Sequence, residues 1–281
     1  MNSLSLLNNI VASITDIYDR REAQAIAKIL IEDILHQSYT KALAGLLPEL
    51  TKEQTLALNT TIKRLKNNEP IQHIIGHTYF CGLKIKVDKS VLIPRPETEQ
   101  LVDIATRLFS PNETPTIMDT STGSGCIAIA MKHSRPKWNI AASDISDPAL
   151  ETAKTNATLN NTEIAFSHFN LLTDTLENNL YDLITSNPPY VMKKEISTMK
   201  PNVLEHEPHL ALFVDDNNPL IFYDALAHHG KTALKSNGFL LMEINHLLAS
   251  ETKKLFDNYG YHNTTLFNDC FDKPRFILCQ K

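Results

Sequence analysis

The stretch "PTIMDTSTGSGCIAIAMKHS", residues 115–134, decides the fold of this chain. Its first five residues are typical of a strand, and residues 126–134 are typical of a helix. Between them lies the turn Ser121-Thr122-Gly123-Ser124-Gly125. Glycine permits positive φ and lets a ligand approach the backbone, and the N-terminus of the next helix favours a negative or strongly polar group. The stretch therefore predicts a strand–turn–helix unit that can bind a ligand.

A second strand, "NIAASD" (139–144), ends in Asp144 about twenty residues after the turn. A carboxylate at this place can accept hydrogen bonds from two ribose hydroxyls. The turn lacks a third glycine at the dinucleotide spacing, so a nucleoside with a compact charged tail, such as S-adenosylmethionine, fits better than a pyrophosphate. The structural alternative is a tight turn followed by a solvated acid.

Strands and helices alternate along the chain from about residue 115, which predicts an α/β fold: a mainly parallel sheet with helices on both faces. The last two strands are close in sequence, which indicates an antiparallel edge. The predicted strands are "PTIMD", "NIAASD", "EIAFSHF", "YDLITS", "GFLLMEI", "HNTTLF" and "RFILCQ", and the predicted helices are "CIAIAMKHS", "SDPALETAKTNATLN", "PLIFYDALAHHGKTALK" and "ASETKKLFDNY".

The first 75 residues predict a small all-helical domain. Apolar residues recur at helical spacing, as in Leu56, Leu58, Ile62 and Leu65, and Thr51 is a plausible N-cap. The domain has eight acids and eight bases, so it is not the basic arm of a DNA-binding protein. A packed accessory domain and a protein-docking domain both remain open. Residues 76–96 predict a β-hairpin linker around a glycine.

Composition limits the class of protein. Hydrophobic residues make up 42% of the 281 residues, which is enough for a globular core. The net charge of −5 gives no general attraction to nucleic acid or to an acidic membrane surface. Four scattered cysteines favour neither a disulfide framework nor a zinc site. The N-terminal stretch resembles neither a signal peptide nor a membrane span, so we expect a cytoplasmic protein.

The motif Asn187-Pro188-Pro189-Tyr190 follows an apolar strand and suggests the reaction. Ligands of open α/β sheets lie beyond the carboxyl ends of the strands. There the Asn187 side-chain carbonyl and the Pro188 backbone carbonyl can accept both hydrogens of a planar –NH₂ group, on which Tyr190 can stack. Such a group is a poor nucleophile because its lone pair is delocalised. Two acceptors favour a pyramidal nitrogen, and catalysis is then by positioning and electrostatics.

Several segments together resemble the release-factor glutamine N5-methyltransferase family over essentially the whole chain. They are "VLIPRPETEQLVD" (91–103), "DTSTGSGCIAIA", "SNPPYV", "EPHLAL" and "GFLLMEIN". The resemblance implies a Rossmann-like class I methyltransferase domain at 97–281 and a substrate-docking role for residues 1–75. It also implies S-adenosylmethionine as methyl donor, and as acceptor the glutamine of the Gly-Gly-Gln motif in class I peptide chain release factors. It further implies catalytic roles for Asn187, Pro188 and Tyr190.

By the same resemblance, the cofactor would contact Ser121, Thr122, Gly123, Ser124, Gly125, Asp144, Asn170, Leu171 and Asn187, and the substrate would contact Asn187, Pro188, Pro189 and Tyr190. Ser121 stands where the family usually has glycine, and if that position needs positive φ the serine costs roughly 1 kcal/mol. Asn170 stands where an acid is usual. We expect no metal, no DNA partner, no membrane association and a monomer. The alternatives are a DNA adenine N6-methyltransferase, which needs a basic DNA-reading region, and a non-catalytic binding protein of the same fold.

Other polar residues are weaker candidates. Glu243 ends a strand near the site and has either a structural role or a substrate contact. Arg95 lies in the family signature, where turn rigidity and closure over the cofactor are both open. The segment "EHEPH" (205–209) predicts a loop near the substrate mouth more than a metal site, because Pro208 interrupts it. His228 and His229 are expected at a helix surface.

Overall fold

The computed structural model describes residues 3–281, with side chains from Leu6 onward. The chain forms two compact units. The first contains the chain up to Gly76 together with Lys200–His206, and the second contains His77–Met199 and Glu207–Lys281. Residues 1 and 2, which belong to the predicted helical domain, lie outside the described residues.

The first unit is helical, as its apolar periodicity predicts. The expected cap of the fourth helix is present, because the Thr51 hydroxyl accepts from Gln54 N–H and the Gln54 side chain accepts from Thr51 N–H. Leu58 and Leu65 are buried, but Leu56 is 69% exposed and does not share their face. The helices are α1 (Ser3–Ile14), α2 (Arg20–Ile29, continued by a π-helical turn Leu30–Ile34), α3 (Tyr39–Leu43), α4 (Lys52–Lys66) and α5 (Ile71–Ile75).

A β-hairpin begins the second unit. Its turn residues, Cys81 and Gly82, both have positive φ, at 49° and 75°. This is the requirement of a type I′ turn, whose twist suits a two-residue hairpin. The elements that follow the first unit are β1 (His77–Phe80), β2 (Leu83–Lys86), α6 (Glu99–Arg107), β3 (Thr116–Thr120), α7 (Cys126–Ser134), β4 (Asn139–Asp144), α8 (Asp147–Leu159), β5 (Ala165–His168), β6 (Tyr181–Ser186), β7 (Val191–Met192), α9 (Pro201–His206, part of the first unit), β8 (Phe213–Val214), α10 (Ile221–Ala233), β9 (Leu234–Glu243), α11 (Ala249–Asn258), β10 (His262–Asn268) and β11 (Pro274–Gln280).

A seven-stranded sheet organises the second unit, in the order β10-β11-β9-β6-β3-β4-β5. Neighbouring strands from β9 to β5 are parallel, whereas β11 runs antiparallel to both β9 and β10. The predicted mainly parallel sheet with an antiparallel end is therefore confirmed. Chain order reverses at β3 and β6, and in such sheets ligands bind beyond the carboxyl ends of the strands at this point.

Side chains alternate along each strand, so the strands place apolar side chains on both faces of this sheet. Helices cover both of these faces. On β6, Leu183 packs into one core with Ile127 and Trp138. The next residue, Ile184, packs into a second core on the opposite face with Leu226. Both faces of the central strands are thus buried, which explains why apolar residues such as Leu183 and Ile184 stand next to each other instead of alternating with polar ones.

Candidate active site

Strand register brings the predicted site residues to one edge of the sheet. Thr120, the last residue of β3, pairs with Ser143 of β4 and with Ser186 of β6. The turn after β3, the acid at the end of β4 and the motif after β6 therefore begin at the same level. Asn170 and Leu171 follow β5 at this edge. The sequence separations among these segments are large, and only the parallel register makes them neighbours.

The turn after β3 is held in left-handed conformations. Ser121, Gly123 and Gly125 have φ values of 55°, 55° and 81°. A Cβ on Gly123 would meet no atom within 4 Å, so the backbone there is open to a ligand. A Cβ on Gly125 would instead lie 3.1 Å from both Ala153 Cβ and Ile129 Cδ1. Gly123 thus leaves room for a ligand, whereas Gly125 allows close packing of the helix behind the turn.

A buried carboxylate, which the sequence did not single out, lies under this turn. Asp119 is fully buried and accepts hydrogen bonds from the Thr122 hydroxyl at 2.6 Å and the Thr185 hydroxyl at 2.8 Å. Burial raises its pKa to about 6, although the two hydroxyls oppose this shift. Asp119 connects β3, the turn and β6, and its only local sequence signal is an acid within an apolar strand.

Asp144 ties the second strand to the turn. One carboxylate oxygen accepts from the backbone N–H of Gly123 at 2.8 Å and the other from Ser146 N–H at 2.9 Å. Burial raises the pKa of Asp144, while these backbone donors favour its ionised form. A carboxylate oxygen has two lone pairs, so each can accept a further bond from a ligand hydroxyl.

The loop after β5 is fixed by internal hydrogen bonds. The Asn170 side-chain oxygen accepts from Leu172 N–H at 3.0 Å, and Asn170 N–H donates to Asp174 at 2.8 Å. The Leu171 carbonyl lies 2.9 Å from His229 Nε2. The expectation that His229 lies at a helix surface is wrong: it faces inward from α10, is 5% exposed, and burial lowers its pKa. His228 is exposed, as expected.

The motif after β6 is organised by Glu243. Asn187 Nδ2 donates to Glu243 Oε2 at 3.1 Å, and the Tyr190 hydroxyl donates to Oε1 at 2.8 Å. Burial, together with the adjacent carboxylate, raises the pKa of Tyr190, so its hydroxyl remains a donor. The sequence left two roles open for Glu243, and these contacts show that it supports Asn187 and Tyr190.

Arg95 and Glu207 form an ion pair beside this site. Arg95 Nη2 lies 2.6 Å from Glu207 Oε1, and Glu207 Oε2 accepts from Ile93 N–H at 3.0 Å. Glu207 is buried, and its neighbour Pro208 lines the cavity described next. The "EHEPH" segment therefore contributes a structural acid to the second unit.

These segments enclose one cavity with a mainly apolar lining. Of the predicted site residues, those that line it are Ser121, Thr122, Gly123, Ser124, Asp144, Asn170, Leu171, Asn187 and Pro189. Gly125, Pro188 and Tyr190 do not line it. Gly125 packs against α8, Pro188 is buried, and Tyr190 is bonded to Glu243.

The lining suits an adenosyl group. Val91, Ile145 and Phe222 provide apolar walls for a flat ring, and Asp144 provides an acceptor for a diol. The open backbone at Gly123 allows a polar tail to approach. Such a set of residues can hold a nucleoside in place by shape and a few polar contacts.

Fold and site together define a methyltransferase. The family model for the methyltransferase small domain matches residues 98–208. A solved methyltransferase from Pyrococcus furiosus has the same fold, with a TM-score of 0.50 and 15% identity over 79% of this chain and 98% of that chain. S-adenosylmethionine is the methyl donor of this enzyme class, as the sequence predicted.

Comparison over the full length defines the family. The PrmC N-terminal domain model matches residues 5–76. The release factor glutamine methyltransferase of Flavobacterium psychrophilum is 42% identical, and that of Bacteroides thetaiotaomicron is 35% identical. The first match covers 95% of both chains and the second covers 96% of both. This chain belongs to the release factor glutamine methyltransferase family, and the resemblance predicted from the sequence is confirmed.

The helices of this protein are short or polar compared with membrane-spanning segments. Within residues 3–281, none has the length and apolar character needed to cross a bilayer.

Proposed function

We propose that this enzyme transfers the methyl group of S-adenosylmethionine to the side-chain amide nitrogen, N5, of the glutamine in the Gly-Gly-Gln motif of class I peptide chain release factors. Family membership supports this substrate class. The observation that carries the chemistry is the hydrogen bond from Asn187 Nδ2 to Glu243, because it leaves the Asn187 carbonyl oxygen as the end available to a substrate amide.

The acceptor nitrogen is activated by position. The Asn187 side-chain oxygen accepts one hydrogen of the substrate amide from the cavity wall. Pro188 is buried behind that wall, and in this proposal its backbone carbonyl accepts the other hydrogen, since a proline has no N–H to compete. The nitrogen lone pair is then aimed at the methyl group. Transfer of that group would leave the donor as its thioether, and the methylated nitrogen would lose one proton to water. The rate enhancement comes from orientation and fixed dipoles, and the residues around Asn187 need supply no general base.

The remaining motif residues shape the pocket in this proposal. Pro189 lines the cavity directly, whereas Tyr190 lies beside it with its hydroxyl held by Glu243. S-adenosylmethionine would contact the turn Ser121–Gly125, Asp144, Asn170 and Leu171, with Asn187 at the boundary between donor and acceptor. We further propose that the enzyme is a cytoplasmic monomer that takes release factors rather than DNA as substrates.

The proposal is tested by methyl transfer from labelled S-adenosylmethionine to a purified class I release factor, with a Gln→Ala variant of its Gly-Gly-Gln motif as the matched control. We expect label on the native factor and none on the variant. A duplex DNA sample in the same assay tests the alternative. Label on DNA, or equal label on both factors, would contradict the proposal.

A further inference from the structure

Glu243 is a fully enclosed carboxylate at the end of β9. It is 2% exposed, and β9 lies between β6 and β11 in the sheet. Ser186 of β6 pairs with Met242, so the next residues, Asn187 and Glu243, are side by side. The backbone of the sheet therefore fixes the place of this carboxylate relative to the proposed substrate-binding amide.

Three side chains donate hydrogen bonds to the two oxygens of Glu243. Oε2 accepts from the Thr98 hydroxyl at 2.6 Å and from Asn187 Nδ2 at 3.1 Å, and Oε1 accepts from the Tyr190 hydroxyl at 2.8 Å. The Arg275 guanidinium lies 3.9 Å from Oε1. An ionised carboxylate only accepts hydrogen bonds, so it satisfies all three donors at once. The charge is compensated in place, as a buried ion requires.

The orientation of the Asn187 amide needs such an anchor. The oxygen and nitrogen of an asparagine side chain are nearly the same size, and turning the group over exchanges an acceptor for a donor. Steric fit alone cannot select between the two orientations. In the reversed orientation, a donor would face the hydrogens of the substrate amide. The partner of the nitrogen must therefore decide which end faces the substrate.

Resting on the proposed function, we infer that Glu243 is a positioning residue that sets the orientation of the Asn187 amide, so that its carbonyl oxygen faces the glutamine amide to be methylated. Glu243 does not line the cavity, so it acts through Asn187. Tyr190 is held by the same carboxylate, which couples both motif residues to the end of β9.

A reciprocal exchange tests this role. Asn187→Asp replaces the donor to Glu243 by a second carboxylate, and we expect kcat to fall about 100-fold. Adding Glu243→Gln supplies an amide nitrogen that donates to the new Asp, whose other oxygen still accepts from the substrate. The double variant should recover at least about tenfold in kcat over Asn187→Asp, and these two variants should have the same cofactor Kd as each other. A double variant as slow as, or slower than, Asn187→Asp would overturn the inference.

Asp269→Asn is the matched control for charge. Asp269 also bonds to Arg275, at 2.8 Å, but it is not bonded to Asn187. Combined with Asn187→Asp, Asp269→Asn removes the same charge but supplies no hydrogen-bond donor to the new Asp. We therefore expect kcat to stay as low as in Asn187→Asp. Equal recovery by Asp269→Asn and by Glu243→Gln would show a general charge effect and contradict the orienting role.

A readout independent of methyl transfer separates this inference from the proposed function. The side-chain ¹⁵NH₂ signals of Asn187 can be assigned by their loss in Asn187→Asp. In the wild-type enzyme one hydrogen should be shifted by its bond to the carboxylate, and Glu243→Ala should abolish that shift. If the Asn187 side-chain signals have unshifted positions in both the wild type and Glu243→Ala, the inference is refuted. A wild-type enzyme that shows the shift but does not methylate release factor would refute only the proposed function.

Discussion

Ser121 provides a quantitative test of how the turn after β3 is built. Its φ is 55°, in the left-handed region that disfavours residues with a Cβ. The informative change is Ser121→Gly compared with Ser121→Ala, because both remove the hydroxyl and only the first removes the Cβ.

The magnitude follows from two opposing effects. Removing the Cβ relieves about 1–2 kcal/mol of left-handed strain. Glycine also gives the unfolded chain more freedom, which costs about 0.4–1 kcal/mol. The midpoints of these two ranges differ by about 0.8 kcal/mol, and we therefore expect Ser121→Gly to be more stable than Ser121→Ala by about that amount. For a unit of this size, that raises Tm by about 1–4 °C.

Ser197 is the matched control, because it is exposed in a 3₁₀ helix (Lys193–Thr198) where glycine relieves no left-handed strain. There the Gly variant should be less stable than the Ala variant by about 0.5–1 kcal/mol. Thermal unfolding of the four variants measures both differences. If the free energies of unfolding of the Gly and Ala variants differ by the same amount and in the same direction at positions 121 and 197, left-handed strain at Ser121 is refuted.

Three further changes test other parts of the site. Asp119→Asn should remove a pH dependence of the free energy of unfolding. Because burial raises the pKa of Asp119 to about 6, the folded wild type binds more protons than the unfolded chain between about pH 4 and pH 6. The stability of the wild type relative to the variant should therefore fall by about 3 kcal/mol as pH rises through that window. Gly125→Ala should cost about 2 kcal/mol or more and weaken cofactor binding, because it combines positive φ with a contact to Ala153. Arg95→Met should destabilise by about 1–3 kcal/mol by leaving Glu207 buried without its partner, and adding Glu207→Gln should restore most of the loss.

Each of these changes has a contradicting outcome. If urea unfolding gives the same difference in free energy of unfolding between wild type and Asp119→Asn at every pH from 4 to 7, the prediction for Asp119 is wrong. Gly123→Ala shares the positive φ but not the close contact, so it should cost less than Gly125→Ala in thermal unfolding. For the ion pair, additive losses in the Arg95 and Glu207 double variant would exclude coupling between them.

The local elements of the fold were predictable because they depend on neighbouring residues. The strand–turn–helix at 115–134, the later alternation and the hairpin around Gly82 follow from periodicity and turn chemistry, and all are present. The proposed cofactor residues are likewise grouped in short segments that follow strands. From the sequence, Ser121 is strained if its position needs a positive φ, and the structure has a positive φ there.

The supporting contacts could not be predicted, because they join distant parts of the chain. The partners of Glu243 lie up to 145 residues away in sequence, and those of Asp119 include one that is 66 residues away. Single residues also deviate from a helical pattern. His229 faces inward to the Leu171 carbonyl although its neighbour His228 is exposed. Lys200–His206 joins the first unit without a signal in its composition.

In the proposed mechanism, Asn187 directs methylation to a side-chain amide nitrogen. Tandem mass spectrometry of the release factor after reaction is the test, since fragment masses locate the methylated residue. Acid hydrolysis of the product then releases methylamine if the methyl group is on the amide nitrogen. We predict one methyl group on N5 of the Gly-Gly-Gln glutamine with the wild-type enzyme, and at least about 100-fold slower formation with Asn187→Ala. A methyl group on another residue, or equally fast formation with Asn187→Ala, would contradict the account.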